Sequence, residues 1–274
     1  HIDFMNLSTT GNAADFGNLS VARASLSASS SRSRGIFLGG DTPSLNNTID
    51  FITIASTGNA TDFGDCIHNG VYSATWSNGT RIVKAGGEAP APARTIVDME
   101  FITIASTGDG LDFGDMAQKK RRAMGIGSPI RMLICGGYSY PANFNIIEYV
   151  NFMSTGNATD FGDLSEAKNT GGGSSNAVTG VVSDATDYDK ITISTLGNGV
   201  NTADLSSTRT AFASTSSRTR AVFAGGYSPS SPYPETNIID YLQFTSDANF
   251  IDFGDLTTDL RNNAGLSNGH GGLG

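Results

Sequence analysis

Apolar positions along the chain fall in short runs, and these runs alternate with polar positions rather than recurring with a helical period. Two kinds of run repeat: an apolar run that ends in Gly-Gly, such as GIFLGG, MLICGG and AVFAGG, and an alternating run such as IDFITIAST. Clusters of Gly, Ser, Asn and Asp separate the runs, as is typical of turns between strands. The pattern therefore predicts an all-β protein built of short strands.

The alternating run recurs six times, and the DFG motif follows it in five of the six copies. The ten residues STGNATDFGD begin at Ser56 and again at Ser154. With the Phe of DFG as anchor, the copies lie near Phe16, Phe63, Phe113, Phe161, Thr202 and Phe253. An acidic residue stands thirteen positions before each anchor: Asp3, Asp50, Glu100, Glu148, Asp189 and Asp240. Recurrence at intervals of 41 to 51 residues indicates a repeated structural unit.

Each repeat predicts four short strands separated by turns. The first strand is polar and small, the second is apolar and ends in Gly-Gly, the third alternates, and the fourth runs through DFG. Four antiparallel strands in about 47 residues match the size of a β-propeller blade, and such blades must stack to bury both faces. We therefore predict that residues 1–274 form one domain, a six-bladed β-propeller, with the DFG phenylalanines in the gaps between blades.

Both chain ends are predicted to build the same blade. A Gly-Gly pair stands 23 residues after four of the anchors, so the pair after Phe253 is expected beyond Gly274. The C-terminal residues would then supply the first strand and part of the second, and the N-terminal residues the third and fourth. The loop that joins them is expected in a longer natural chain.

An apolar strand that ends in Gly-Gly, followed by a strand with an acidic residue, is similar to the kelch repeat, with DFG where that family usually has a Trp. This resemblance covers almost the whole chain and implies a propeller fold rather than a particular function. The wording STGNATDFGDL, with Gly-Gly-Tyr after the second strand, also resembles repeat proteins predicted in tailed phages of marine bacteria. Those proteins occur among tail and virion structural proteins, which implies a virion setting.

The repeats differ in length almost entirely between the second and third strands, where the sequences read GGDTPSLNNT, GGEAPAPART, GGYSYPANFN and GGYSPSSPYPETN. In an antiparallel blade these connections share one face with the turn into the next blade, and scaffolds carry recognition on variable loops. The candidate ligand-binding residues on this face are Tyr138, Tyr140, Phe144, Tyr227 and Tyr233. Rigid aromatic side chains beside Ser and Asn suit sugar or protein recognition. Packing over the loop bases is the alternative.

The net charge of −9 and the pI of about 4.7 argue against a nucleic-acid partner. Since no apolar run approaches the roughly 20 residues of a membrane helix, we expect no membrane insertion. Basic residues nonetheless stand seven positions after four anchors, at Arg23, Lys120, Lys168 and Arg209. If the first strands line the axis, these four would form a basic ring in the channel that attracts acidic ligands. We favour the other interpretation, in which each of them pairs with a carboxylate of the DFGD turn just upstream.

No residue pattern in the sequence indicates a catalytic or metal site. DFG is also the magnesium-binding motif of protein kinases, but five near-copies without a nucleotide-binding loop exclude that function. The Asp pairs of DFGD predict turn capping, with Ca²⁺ binding as the alternative. The histidines, His1, His68 and His270, lack metal-ligand spacing, and Cys66 and Cys135 do not imply a disulfide scaffold. We therefore predict no enzymatic activity, no metal and no cofactor.

These observations favour a non-enzymatic virion protein of a tailed phage, a tail-fibre or decoration domain. It would contact a host-surface glycan or a neighbouring virion protein through the loops of unequal length. A cellular, cytoplasmic kelch-type module for protein–protein interaction is the alternative. A propeller enzyme is a third hypothesis, against which the lack of converging catalytic residues speaks.

Overall fold

A computed structural model describes residues 1–92 and 94–269 of the chain. Within these residues every regular element is a β-strand, which confirms the predicted all-β class. The strands form small antiparallel sheets that pack side by side as a β-propeller, whose complete blades have four strands each.

Five sheets are complete blades, each with its strands paired in chain order. A two-stranded sheet precedes them, formed by β1 (Ile2–Phe4) and β2 (Ala14–Gly17). Blade 1 contains β3 (Ser27–Ser30), β4 (Arg34–Leu38), β5 (Thr48–Thr53) and β6 (Thr61–Asp65). Blade 2 contains β7 (Ala74–Ser77), β8 (Arg81–Ala85), β9 (Asp98–Thr103) and β10 (Leu111–Asp115).

Blade 3 carries a small extra hairpin between its second and third strands. It contains β11 (Met124–Gly127), β12 (Arg131–Cys135), the hairpin of β13 (Tyr138–Ser139) and β14 (Ala142–Asn143), then β15 (Ile146–Asn151) and β16 (Thr159–Asp163). Blade 4 contains β17 (Gly172–Ser175), β18 (Thr179–Ser183), β19 (Asp187–Thr192) and β20 (Val200–Asp204). Blade 5 contains β21 (Ala213–Ser216), β22 (Arg220–Ala224), β23 (Ile238–Gln243) and β24 (Ile251–Asp255).

Burial follows the strand pattern of the sequence. The second strand of each blade is almost wholly buried, because it lies between two other strands and faces a neighbouring blade on each side; Ile36 and Leu38 of β4 are at most 2% exposed. The first strands carry Ser, Ala and Gly, as in SASS of β3 and GGSS of β17. Small residues fit there because the first strands converge on the axis, where space between blades is least.

The repeated segment STGNATDFGD forms the contact between neighbouring blades. The N–H of Gly58 donates to the carbonyl of Phe16 at 2.8 Å, and the side-chain oxygen of Asn59 accepts the N–H of Asn18 at 3.0 Å. The second bond recurs six times around the ring at 3.0–3.2 Å, with Asn12, Asn59, Asp109, Asn157, Asn198 and Asn249 as acceptors. The segment recurs in the sequence because every interface between neighbouring blades is built from the same contacts.

The anchor phenylalanines fill the space between blades, which confirms their predicted place. Phe63 packs in one cluster with Ile82 and Ile102 of the next blade. The degenerate fifth copy has Thr202 at the anchor position, and Phe250, which is 2% exposed, fills the gap from the neighbouring blade. Other copies have Ala or Gly at the position of Phe250, so the sequence contained a signal of this exchange.

The prediction of six complete blades is wrong for the described residues. The structure has five four-stranded blades, and the two-stranded sheet takes the sixth position in the ring. Its link to blade 5 is the bond from the Gly11 N–H to the Phe253 carbonyl, at 2.9 Å, and its link to blade 1 runs through Phe16. All six interfaces are therefore hydrogen-bonded, although one position holds half a blade.

The C-terminal segment reaches the axis of this sixth position without forming a strand. The carbonyl of Ser267 accepts the hydroxyl of Ser30 at 2.6 Å, so residues 261–267 run where a first strand would run. In the described part of the chain no second strand lies between these residues and β1, so they have no neighbouring strand with which to pair. The expected part of the second strand, in residues 270–274, lies outside the described residues.

Candidate functional site on the variable face

The connections between second and third strands lie on one face of the propeller. They span residues 41–47, 88–92 with 94–97, 138–145, 184–186 and 227–237, and are called the variable loops. Isolated β-bridges join them to the segments that lead into the first strands, between Ala24 and Asp41, Arg121 and Tyr138, and Thr210 and Tyr227. The variable loops and the entries to the first strands therefore share one face, called the variable face.

Glycine pairs hold the bases of the variable loops against the next blade. The N–H of Gly40 donates to the carbonyl of Gly70 at 2.9 Å, and the other three pairs make the equivalent bond. At Gly39 the φ angle is +63°, and a Cβ would stand 2.5 Å from the carbonyl oxygen of Gly70. Since only glycine permits this approach, the Gly-Gly pair determines where each loop begins.

The basic residues predicted to ring the channel are buried inside the blades. Their side chains are at most 1% exposed and lie 2.6–2.8 Å from carboxylates, in the pairs Arg23–Asp50, Lys120–Glu148, Lys168–Asp187 and Arg209–Asp240. All four partners belong to third strands, so they are not the DFGD carboxylates of the alternative. These charges are neutralised within the fold and do not face the channel.

The third-strand carboxylates also hold the turn after DFG. Asp50 accepts the N–H of Ser20 at 3.2 Å and its hydroxyl at 2.6 Å. In blade 4, burial disfavours the charge on Lys168, but hydrogen bonds to Asp187 and Glu166 outweigh burial and raise the pKa of the lysine. Each acidic residue with its basic partner and the following turn forms a structural unit, called the clamp.

Blade 2 shows how the clamp tolerates a change of sequence. Gly70 stands where other blades have the basic residue, and Lys84 of β8 supplies the charge from the adjacent strand. Its Nζ lies 2.5 Å from Oε1 of Glu100, and both side chains are at most 6% exposed. Analysis of the sequence missed this residue, whose signal was a lone lysine in an apolar second strand.

Six residues that precede the first strands form a ring at the mouth of the central channel: Ser25, Tyr72, Arg122, Thr170, Ala211 and Asn262. Each backbone N–H donates to the carbonyl of the preceding member at 2.8–3.1 Å, and Ser25 closes the circle on Asn262. All six have left-handed φ angles of 53–61°. Such conformations cost roughly 1 kcal/mol each and cluster at binding sites. No pattern of residues indicated this ring in advance, because its members share no residue type.

The channel behind this mouth is narrow. It encloses about 150 Å³ and is lined mainly by small residues of the first strands. Towards its other end, serine hydroxyls donate to backbone carbonyls of the neighbouring blade, from Ser216 to Ser175 at 2.8 Å and from Ser175 to Gly127 at 2.6 Å. The mouth on the variable face is therefore the part of the channel that a larger ligand can contact.

Guanidinium groups lie over tyrosine rings on the variable face. Their distances to the ring centroids are 4.7 Å for Arg122 over Tyr72, 5.4 Å for Arg121 over Tyr138 and 5.3 Å for Arg261 over Tyr227. Arg121 also pairs with Glu88, and burial together with the neighbouring Arg122 lowers the pKa of Arg121. The basic side chains of the five clamps are buried, so the arginines stacked on tyrosines carry the positive charge that is accessible on the variable face.

The five aromatic residues predicted to bind a ligand all lie on variable loops and fall into two groups. Tyr140 and Tyr233 are 86% and 55% exposed, and Tyr140 lies at the tip of the β13–β14 hairpin. Tyr138, Phe144 and Tyr227 are half-buried. The rings of Tyr140 and Tyr233 are therefore open to a partner. The other three aromatic residues also pack against the loops.

The two-stranded sheet brings together a histidine and two carboxylates. His1, Asp3 and Asp15 each place one possible ligand atom within 4.8 Å of the others, and His1 Nε2 lies 2.5 Å from Asp3 Oδ1. The spacing of these residues in the sequence did not indicate the cluster. Asp3 is also the third-strand acid of the sixth position, where it accepts the hydroxyl of Thr257 at 2.7 Å as Asp50 accepts that of Ser20, so its burial there needs no metal ion.

Both cysteines are expected to be unreactive in the folded protein. Burial raises the pKa of the Cys66 and Cys135 thiols to about 12, from an ordinary value of 9.0. At pH 8 only about one thiol in ten thousand would be ionised, and the thiolate is the reactive form. A colorimetric thiol reagent should label neither residue in the native state and both in guanidinium chloride.

The same shifts give a pH dependence with a defined sign. A thiol whose pKa is raised on folding stabilises the folded state fully below pH 9, and this contribution is lost as the pH rises from 9 towards about 12. Rapid labelling of the native protein at pH 8 would contradict both expectations.

No protein-family model matches the chain, and no curated protein matches it. In the described part of the chain no helix is long and apolar enough to cross a membrane.

Proposed function

We propose that this protein is a non-enzymatic recognition module, a tail-fibre or decoration component of a tailed-phage virion. It binds a host-surface glycan or a neighbouring virion protein through the variable face. The observation that carries the proposal is the pair of exposed tyrosines, Tyr140 and Tyr233, on loops fixed by glycine pairs.

The chemistry of the face suits a glycan. A tyrosine ring buries a large area against a sugar at low entropic cost, because it has few rotatable bonds. The guanidinium groups of Arg121 and Arg261 lie on the same face, in the segments that lead to the first-strand positions, and can donate to hydroxyl or carboxylate oxygens. Glu88 and Glu235 orient these two arginines and can accept hydrogen bonds from sugar hydroxyls.

Two resemblances supply the setting of this proposal. The four-stranded blades, with Gly-Gly after most second strands, support a kelch-like assignment. The virion setting is supported by the resemblance of the STGNATDFGDL wording to phage repeat proteins.

Replacing either exposed tyrosine should abolish glycan binding without unfolding the protein. Tyr140→Ala and Tyr233→Ala remove solvent-exposed rings, so stability should change by less than about 0.5 kcal/mol. Glycan binding should fall at least tenfold, because stacked aromatic rings dominate such contacts. The measurement is a glycan array of bacterial surface sugars, followed by titration of the best ligand.

A matched control is available on the opposite face of blade 3. Met153 is 80% exposed in the turn between β15 and β16, so Met153→Ala removes a similar exposed area away from the variable face. This variant should bind normally. Unchanged glycan binding in both tyrosine variants, or an array with no bound glycan, would remove the glycan assignment and favour a protein partner, in a virion or in a cell.

A further inference from the structure

One of the three arginines stacked on tyrosine rings of the variable face has no counter-charge. Arg121 pairs with Glu88, and Arg261 Nε lies 3.0 Å from Glu235 Oε1. Within residues 1–92 and 94–269, no carboxylate oxygen lies within 4.0 Å of a nitrogen of the Arg122 guanidinium. Of these three charges, Arg122 therefore carries the one that the fold leaves without a carboxylate.

Arg122 also lacks the carbonyl contacts that other half-buried arginines make. Each arginine at the start of a second strand donates to a backbone carbonyl of the neighbouring sheet at 2.8–3.3 Å: Arg34, Arg81, Arg131 and Arg220. Arg122 reaches only the hydroxyl of Thr170, at 3.4 Å, and its Nε is buried without a hydrogen-bond partner in the described chain. An anion that accepts hydrogen bonds from this guanidinium would therefore supply acceptors that the fold does not.

Arg122 is held in place through its backbone and its side chain. Its N–H donates to the Tyr72 carbonyl at 2.8 Å, its carbonyl accepts the Thr170 N–H at 3.1 Å, and its φ of 60° is left-handed. The centroid of the Tyr72 ring lies 4.7 Å from the guanidinium carbon, so the ring supports the flat face of the charge. A side chain that is already ordered loses little freedom when a ligand binds, so this arginine is preorganised.

Arg122 lines the mouth of the central channel, across from Asn262. The two residues are three places apart in the ring of six, and both line the channel of about 150 Å³. The ring members beside Asn262, which are Ser25 and Ala211, are short and buried. Because this space is several times the roughly 30 Å³ share of one water molecule, a carboxylate group can enter it, whereas the rest of a glycan must stay outside.

The groups around the mouth suit the carboxylate of a sugar. The flat guanidinium matches a planar carboxylate, which can accept two hydrogen bonds from it. In the part of the chain that is described, the Asn262 amide and the Tyr72 phenol make no hydrogen bond, so both can bond sugar hydroxyls. One unpaired arginine matches one negative charge, and the net charge of −9 disfavours a ligand with many. The expected ligand is therefore a mainly neutral glycan with a single acid group.

We propose that the mouth of the channel binds the carboxylate of a uronic acid unit at the end of a mainly neutral surface glycan, with Arg122 as its counter-charge. This inference rests on the glycan-binding function proposed above and names the class of sugar. The acid group sits in the mouth, and the neutral sugars lie over the variable face, where Tyr140 and Tyr233 are exposed. Arg122 thus selects the terminal sugar, while the tyrosines supply contact area.

The test is a calorimetric titration of the full chain with tetrasaccharides of neutral sugars that end in one glucuronic, galacturonic or mannuronic acid, and with their methyl esters. We expect saturable binding of at least one acid, weakened at least tenfold by esterification, because the ester carries no charge. Arg122→Gln should weaken binding of the acid similarly and leave binding of the ester unchanged. Arg122→Lys should give an intermediate affinity, because lysine keeps the charge without the planar fork of donors.

Arg218→Gln is the matched control, since Arg218 is exposed in the turn between β21 and β22 on the opposite face, and it should leave binding unchanged. Full binding of the acid by Arg122→Gln would overturn the inference. Equal binding of a sulfated tetrasaccharide would also overturn it, because the site would then select charge alone. Neutral glycans bound through Tyr140 and Tyr233, with no preference for the acids, would overturn this inference and retain the function proposed for the variable face. No bound glycan of either kind would remove both.

Discussion

Alanine at Gly64 is expected to destabilise the protein by about 3 kcal/mol, whereas alanine at Gly108 should cost only about 1 kcal/mol. Gly64 is the glycine of a DFG motif, with φ +147°, and a Cβ there would stand 2.5 Å from the carbonyl oxygen of Gly108 in the next blade. The next blade cannot retreat, because hydrogen bonds join it to both of its neighbours. The added methyl group must therefore strain or separate the two blades.

The two glycines form a matched pair for this experiment. Gly108 has φ +153°, so both substitutions carry a similar backbone strain, but a Cβ at Gly108 meets no atom within 4 Å. The difference between the two variants therefore isolates the close approach of the blades. Guanidinium chloride unfolding, followed by circular dichroism, measures both free energies of unfolding. Equal losses would show that the DFG glycine is needed for its φ angle alone.

Removing the carboxylate of a clamp is expected to be at least as damaging. Asp240→Ala should lower the free energy of unfolding by about 3–5 kcal/mol, because it leaves a buried guanidinium without its counter-charge. Arg209 is 1% exposed, lies 2.6 Å from Asp240, and also donates to the carbonyls of Gly225 and Phe223. These carbonyls hold the side chain in place, so it cannot turn outward to water.

Two further variants separate the cost of leaving Arg209 unpaired from the cost of losing a carboxylate elsewhere in the blade. Asp252→Ala removes an exposed carboxylate of the DFGD turn in the same blade and should change stability by less than about 0.5 kcal/mol. Replacing both members of the pair, with Arg209→Met and Asp240→Leu, should recover much of the loss, since no unpaired charge remains. Thermal and chemical unfolding of the four proteins measure these differences. An Asp240→Ala variant as stable as Asp252→Ala would mean that the clamp contributes little.

Exchanges between repeats show how the fold keeps its contacts when the motif decays. The anchor lost at Thr202 is replaced by Phe250 from the next blade, and the basic residue lost at Gly70 is replaced by Lys84 from the adjacent strand. In both cases the replacement occupies the same space from a different position in the chain. Comparing the repeats position by position therefore reveals the missing residue but not the one that replaces it.

The sequence by itself determined the strands, the propeller and the location of the unequal loops. Strand alternation, turn residues and Gly-Gly pairs act over a few residues, so their consequences can be worked out along the chain. The hydrogen bond from the Asp255 N–H to Asn12, which joins the two ends of the ring, became known only from the structure.

Only the tertiary structure decided where the charges lie and which blade is incomplete. For Arg23, Lys120, Lys168 and Arg209 the sequence left open a place in the channel or pairing with DFGD carboxylates, but each points into a blade, towards a third-strand carboxylate 19 to 31 residues away in the chain. The left-handed residue two positions later turns the chain before the first strand begins. Such outcomes depend on packing between distant segments, which no local pattern of residues encodes.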